Sequence, residues 1–476
     1  MNKKTIKAQT TLMINALKTK GFEVEKIELK IEGELPAHLR GTLYRNGPGL
    51  FERNNIKNRS ILDGDGFMQS FKIDNGKISY QARFVATPKY IEESKIKQFI
   101  HPTWSKSLHS INPIKNAAIP TQAGVSFIYF AGNLYACDDN GVPLKINPSD
   151  LSVYGSLVSK NGEEIEAFAH SKVDLRANHL ITYSLSYGPN PKINLVIMDD
   201  KHSVLLKKSV ALPNNTYFHD FFVTDNYIIF ILHPIELKLW PFLWGKKSFI
   251  ESLIFSSNKF NLVKIIDRKN GEEVNNFDLP PSFMWHGVNA WEENQKIILY
   301  FLGYKEPNHF IGENPHMRMV MDGLLGEDCH NGNLRKYTLD LAQNKAVEEI
   351  INMENMDFPV INSHFLGTSN RYFYALKAHS GSILFYGLVK YDLQNNTYEQ
   401  FLAPEGCLLG EPLLVGQDWS TETSGYILML MSDANALQSY LLCFDAKNIK
   451  NGPLAKIYLP SMQPLGFHGV FIEEKK

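Results

Sequence analysis

Short apolar stretches that alternate with period two recur along most of this chain, and nearly every one stops at Gly, Asn, Asp or Pro. "GKISYQARFVAT", "NHLITYSLSY", "DNYIIFIL", "QKIILYFLGY", "NRYFYALKA", "ILFYGLVKYDL" and "GYILMLMSDA" all read as strands. Turn phrases separate them: "DNG" at 74–76, "NG" at 161–162 and "KNG" at 269–271. Amphipathic helical patterns are scarce. The N-terminal stretch and "HMRMVMDGLL" are the candidates for short helices. The class is therefore all-β. So many strands would leave exposed sheet edges, and closing a ring of small sheets into a propeller removes that liability. A recurring phrase supports repeated blades, an apolar strand leading through a turn to a strand that ends in "KYDL" or "CFDA", as at 387–393 and 441–446. The repeats are too divergent to give a blade count. No Pro-, Gly- or Ser-rich linker divides the 476 residues, so one domain over 1–476 is expected.

Lys+Arg (49) and Asp+Glu (50) nearly cancel, which leaves no global field to attract nucleic acid. The apolar part of the N-terminus is short and broken by Thr and Asn, unlike a signal peptide. No apolar run reaches the roughly 20 residues of a membrane-spanning helix. Cys137, Cys329, Cys407 and Cys443 form no CxxC pair. They read as reduced thiols in a cytoplasmic protein.

Two segments break the strand pattern. "HPIELKLWPFLWGKKSFIESLIF" (233–255) is dense in Trp, Phe, Leu and Ile and carries Lys246 and Lys247. It reads either as a loop covering the core or as an apolar surface with basic neighbours, fit to rest on a bilayer or to form the mouth of an apolar tunnel. "EPNHFIGENPHMRMVMDG" is a long insertion to which the sequence assigns no role.

Four of the fifteen histidines share a local setting. They are His170 in "EAFAHSKVD", His219 in "NTYFHDFFVTDNYIIF", His286 in "PSFMWHGVNAWEENQKIILYF" and His468 in "MQPLGFHGVFIEE". Each stands at the start of an alternating or apolar strand, and three follow an aromatic residue (Phe218, Trp285, Phe467). The steps between them are 49, 67 and 182 residues, not the spacing of a zinc finger or an HExxH helix. They resemble steps between propeller blades, which repeat at about 50 residues in kelch proteins. Four imidazoles on four inner strands can converge on one axial metal ion. The other reading is four unrelated strand histidines. Imidazole suits iron, copper, zinc and nickel, so ligand type does not choose the metal.

Ordered motifs add a family. "GELPAHLRGTLYRNGPGLFE" (33–52), "LDGDGFMQSFKIDNGKISYQARFVATPKY" (62–90), the four histidine phrases and the closing "LPSMQPLGFHGVF" run nearly end to end. In these motifs the chain resembles the carotenoid cleavage oxygenases. That family includes apocarotenoid oxygenases, the retinoid isomerohydrolase of the eye and lignostilbene dioxygenases. The resemblance implies a seven-bladed β-propeller with a small helical and loop cap over one face. It implies one non-haem Fe(II) held by His170, His219, His286 and His468, with no carboxylate on the metal. It also implies glutamates that orient three of the imidazoles. Glu411 in "GEP" matches that pattern, whereas Asp357 in "MDFPVIN" and Asp139 in "DDNGVP" stand where the family has Glu. Asp is one methylene shorter, so reaching the imidazole calls for a small backbone shift or a bridging water. His170 is left without a carboxylate. The glycines and aspartates of "RNGP" and "LDGDGF" read as tight-turn residues rather than catalytic ones.

The activity implied is oxidative cleavage of a conjugated C=C bond by O2, giving two carbonyl products. The substrate implied is an apolar carotenoid or apocarotenoid, extracted from a membrane through 236–255. The protein would then be cytoplasmic and peripheral on the inner membrane surface, without nucleic acid. A stilbenoid substrate is the second choice. Stilbene cleavers hold the phenol with a Tyr and a Lys; Tyr90 compares with the Tyr, but Asn133 stands where the Lys aligns. Two further readings are a non-catalytic apocarotenoid or retinoid binder, and ester cleavage with isomerisation on the same fold.

Overall fold

The strand "YIIFIL" shows how the alternation is used. In Tyr227–Leu232, Ile228, Phe230 and Leu232 pack into one apolar cluster, and Ile229 and Ile231 into another. Both faces are covered, so the strand is apolar throughout. The same arrangement recurs in seven antiparallel sheets of four to six strands, a seven-bladed β-propeller. The computed structural model describes residues 11–108, 112–312, 315–325, 329–416 and 421–474. Seven apolar clusters fill the gaps between successive sheets, one for each neighbouring pair. Outer strands are covered on one face only. Val204–Ala211 accordingly alternates between exposed and more buried residues, and 345–349 of Lys345–Asn352 does the same.

The ring closes at the chain ends. The C-terminal strand His468–Glu473 pairs with Gly41–Leu50, His468 opposite Asn46. The neighbouring sheet likewise joins Lys30–Gly33 to Ala455–Tyr458. This seam corrects the turn reading of "RNGP" and of the second half of "LDGDGF"; Leu62 and Asp63 do lie in a tight 3-10 turn that ends at Gly64. Asn46, Gly47 and Pro48 lie inside strand Gly41–Leu50, and Asp65 and Gly66 open strand Asp65–Asp74. Gly47 is needed for close approach, since a Cβ there would lie 2.4 Å from the Cα of Gly466. Asp65 is buried and binds Lys89 (2.6 Å) and Arg53 (2.8 Å).

Helices are few and short, including Pro88–Ile96, Leu239–Leu243 and His316–Met319, the last within the expected "HMRMVMDGLL". Segment 233–255 divides into a buried and an exposed part. Phe242, Phe249, Ile250 and Leu253 join a buried cap cluster with Tyr217, Trp285 and Phe310. Trp240 and Trp244 face outward, at 73% and 49% exposure. No helix among the described residues is long and apolar enough to cross a membrane. All four cysteines are buried, and none forms a disulfide among the described residues.

Candidate metal centre and its cavity

Each of the seven sheets contributes one side chain to a cluster at the centre of the ring. His170 sits in the turn before Lys172–Asp174, and His219 just ahead of Phe222–Val223. His286 lies in Phe283–Glu293, and His468 begins the closing strand. The three remaining sheets supply Asp139 after Asn133–Cys137, Asp357 in Asn355–Val360, and Glu411 between Cys407–Leu409 and Leu413–Val415.

Ligand nitrogens of the four histidines lie within 4.8 Å of one another, the span of a single ion with bonds of about 2 Å. His286 Nδ1–H donates to Asp357 Oδ1 (2.6 Å), and His468 Nδ1–H to Glu411 Oε1 (2.7 Å). His219 Nδ1–H donates to Asp139 Oδ2. An imidazole whose Nδ1 carries the proton has a bare lone pair on Nε2. Nε2 of His286 and Nε2 of His468 are 3.3 Å apart, two acceptors with no proton to share. His170 Nε2 is buried without a hydrogen-bond partner among the described residues, its ring 4.4–5.0 Å from the other three. Burial and the three neighbouring imidazoles hold its pKa well below the usual histidine value. Converging lone pairs of this kind are satisfied by a cation.

Charge supports the same fit. Three carboxylates touch the imidazoles, and one guanidinium balances one of them: Arg45 Nη1 donates to Glu411 Oε2 at 2.6 Å. Two negative charges remain, which a divalent ion cancels. Burial opposes ionisation of Asp357, but His286, the Tyr304 hydroxyl and the Phe358 N–H overcome it and keep the carboxyl below its usual range. Glu411 is likewise lowered against its burial, by His468 and Arg45.

The two aspartates bond their imidazoles directly, and each also accepts from a tyrosine. Tyr217 Oη donates to Asp139 Oδ2 (2.7 Å) and Tyr304 Oη to Asp357 Oδ2 (2.5 Å). The strand register shifts between Asp357 and Val360, where Phe358 takes a left-handed backbone (φ 54). That conformation costs a non-glycine residue about 1–2 kcal/mol. The Phe358 ring lies 4.9 Å from His286 and 5.4 Å from His468.

A cavity adjoins the cluster, its wall built from Leu62, Trp285, Phe310, Phe358, Phe385 and Leu465 among others. Its few polar groups beyond the cluster include Gln122, Asp138 and His309. Burial pushes the Asp138 carboxyl up to about 6. No lysine lines the cavity among the described residues.

Two residues compared with stilbene cleavers lie elsewhere. Tyr90 is not in the cavity wall, because helix Pro88–Ile96 packs its ring on Phe84 (5.1 Å) beneath Arg53 (5.4 Å). Asn133 begins a strand and ties its amide to Ala131 O (2.9 Å), also away from the cavity. Sequence reasoning missed Arg45, Tyr217, Tyr304 and His309. Arg45 carried a signal, as part of "LYRNGPG"; Tyr217 stands two residues before His219, on the same side of an extended segment.

Comparisons with known proteins agree with this geometry. The family model for retinal pigment epithelial membrane protein (RPE65) matches residues 18–473. An apocarotenoid-15,15'-oxygenase from Synechocystis is 28% identical over 461 residues, covering 92% of this chain and 91% of that protein. A carotenoid 9,10(9',10')-cleavage dioxygenase from Pisum sativum is 25% identical, covering 94% of this chain and 87% of the relative. Among solved structures, cobalt-substituted Synechocystis apocarotenoid oxygenase superposes with a TM-score of 0.88 at 26% identity, over 98% of this chain and 99% of that one.

Proposed function

The chain belongs to the retinal pigment epithelial membrane protein family, and on that premise we propose that it is a non-haem Fe(II) dioxygenase, one propeller domain that cleaves a conjugated C=C bond of a carotenoid or apocarotenoid with O2. The observation that carries the reading is the convergence of four imidazoles, with Nε2 lone pairs facing inward, beside an apolar cavity. His170, His219, His286 and His468 hold the metal; Asp139, Asp357 and Glu411 orient three of them. Bound there, ferrous iron would supply the activation of O2, while the electrons that reduce the O2 come from the double bond that is cleaved.

The chain's own residues do the rest. The carboxylates fix the tautomer and angle of three rings, so the lone pairs are in place before a metal arrives. Four neutral imidazoles put no formal charge on the ion itself, and the carboxylates that balance it stand one ring further out. Trp285, Phe310, Phe358 and Phe385 form a wall that excludes water and holds a polyene against the cluster.

The test is incubation of the ferrous protein under O2 with an apocarotenal, a polyene ester and resveratrol, each with an anaerobic control. Two carbonyl products from the apocarotenal, and none without O2, are expected. A free alcohol from the ester points to isomerohydrolysis, and unchanged substrate throughout points to a binding protein. Cleavage of resveratrol alone makes the substrate a stilbenoid; the cavity wall, without a lysine and without Tyr90, argues against that outcome.

Segment 236–255 is the part of the surface proposed to meet a membrane, with the protein peripheral on the inner face. Trp240 and Trp244 project from it beside exposed Lys246 and Lys247, while Phe242 between them is buried. Aromatic anchors flanked by lysines suit an anionic lipid surface. The Trp240→Ala, Trp244→Ala double variant is expected to bind anionic vesicles less tightly, by about tenfold per tryptophan. Its turnover of detergent-dispersed substrate should be unchanged. Equal vesicle binding by variant and parent in a sedimentation assay refutes the contact.

A further inference from the structure

Each of the three acids at the metal centre comes from a different sheet than the imidazole it serves. Each is also bracketed, between that imidazole and a second donor brought by the imidazole's own sheet. Tyr217 stands two residues before His219, in the segment leading into the same sheet, and donates to Asp139 Oδ2 (2.7 Å). Tyr304 ends Lys296–Tyr304, the neighbour of the strand that carries His286, and donates to Asp357 Oδ2 (2.5 Å). Arg45 lies on Gly41–Leu50, the neighbour of the strand that carries His468, and donates to Glu411 Oε2 (2.6 Å).

The second donor changes with the length of the acid. Glu411 meets an arginine, and both aspartates meet a tyrosine. A tyrosine has only two side-chain torsions, so a packed ring fixes the place of its hydroxyl. Both rings are buried and packed. Tyr217 lies 5.7 Å from Phe310, 6.0 Å from Trp104 and 6.1 Å from Phe249, and Tyr304 lies 4.4 Å from His309. An aspartate carboxylate, by contrast, turns in a broad torsional well. Asp139 takes both its side-chain donors, His219 and Tyr217, on Oδ2, and its buried Oδ1 has no partner among the described residues. Asp357 has one tie more, from the Phe358 N–H to Oδ1 (2.8 Å). Without its tyrosine, Asp139 keeps one of these donors and Asp357 keeps two.

We propose that Tyr217 and Tyr304 are positioning residues of the metal centre, each matched in length to its aspartate: the hydroxyl fixes the carboxylate, and the carboxylate aims the imidazole's Nε2 lone pair. This rests on the four histidines holding a metal. The tyrosines act through the acids and transfer no proton. A match in length has a consequence that packing alone lacks. One added methylene, about 1.5 Å, drives the carboxylate into the space of the hydroxyl, and removal of the hydroxyl opens that space again.

The experiment titrates cobaltous ion, without O2 and against a competing chelator, into protein freed of metal, and follows the visible absorption of the bound ion. The variants are Tyr217→Phe, Tyr304→Phe, Asp139→Glu, Asp357→Glu and the two doubles that pair each tyrosine with its own acid. Each Phe variant should bind cobalt about 10- to 100-fold less tightly, with the larger loss at Tyr217. Each Glu variant should also lose affinity, by crowding the hydroxyl. Each double should bind cobalt more tightly than either of its single variants, with absorption bands that return toward those of the parent. A tyrosine that only fills space gives no such rescue, and its double loses the product of the two single losses. That product removes the tyrosine from the role, and so does a Phe variant that binds cobalt as the parent does. The two pairs belong to different sheets, so misfolding of one set leaves the other to decide. A parent protein that takes up no cobalt overturns the metal reading and this inference with it; uptake that is equal in parent and Phe variants overturns this inference alone.

Discussion

Replacement of His219 by alanine is expected to abolish cleavage and to strip the protein of its metal. His219 is 6% exposed, its Nδ1 is held by Asp139, and its ring packs 4.7 Å from that of Trp285. Losing an outer partner of a metal ligand already costs about 10- to 100-fold in metal affinity or activity. Losing the ligand itself removes one of four nitrogens and leaves Asp139 with only Tyr217 as a donor. Turnover should therefore fall by more than about 100-fold, and metal per chain, measured by atomic spectroscopy, should drop toward zero. The far-UV circular dichroism should stay that of the parent, since His219 precedes its strand rather than forming part of it. Full activity with full metal occupancy in this variant would remove His219 from the site.

The largest stability effect is expected at Arg45. Its side chain is 1% exposed and crosses the seam where the ring closes. Nη1 binds Glu411 Oε2, and Nη2 reaches the carbonyls of Leu465 and Phe467 at 3.4 and 3.2 Å. Arg45→Met keeps bulk and removes charge, so Glu411 remains as a buried carboxylate served only by His468 and Gly469. Breaking a buried pair by removing one partner costs about 3–5 kcal/mol. The sign of its pH dependence follows from Glu411, whose pKa is lowered in the fold. A lowered carboxyl pKa contributes stability above the unfolded-state value and loses that contribution as pH falls through the folded-state value. The parent and variant should differ fully at pH 7, and the gap should have narrowed at about pH 3, below the ordinary carboxylate value and toward the lowered value of folded Glu411. Urea midpoints at the two pH values provide the measurement. An equal gap at both would show that Arg45 acts by packing and not by charge.

How much of this was legible beforehand depended on the range of the interaction. The strands were readable because each must cover its faces, and "YIIFIL" or "ILMLM" is apolar throughout for that reason. The number of sheets was not, because the gaps between them accept any apolar residues of suitable volume and so leave no repeat in the letters. The four histidines were readable as a shared phrase at the mouths of inner strands. Their partners were less so. Asp139 comes from the second sheet and reaches His219 of the fourth, past His170 of the third. With three carboxylate-bearing sheets and four histidine-bearing ones, one imidazole has none. The glycines of "RNGP" and "LDGDGF" were placed in turns because Gly usually marks them; Gly64 does end one, but Gly47 instead allows two backbones to touch across the seam.

By itself, the sequence determined the all-β class, the strand positions and the shared phrase of the four histidines. All of these are local, set by period-two burial or by a short phrase around one residue. Only the tertiary structure decided which acid meets which histidine, that Tyr217 and Tyr304 complete the two aspartates, and that Arg45 neutralises Glu411. Each of those pairs joins residues from different parts of the chain through hydrogen bonds of about 3 Å. Such contacts leave no period and no spacing in the sequence; they exist once the ring has closed and brought the inner ends of its sheets together.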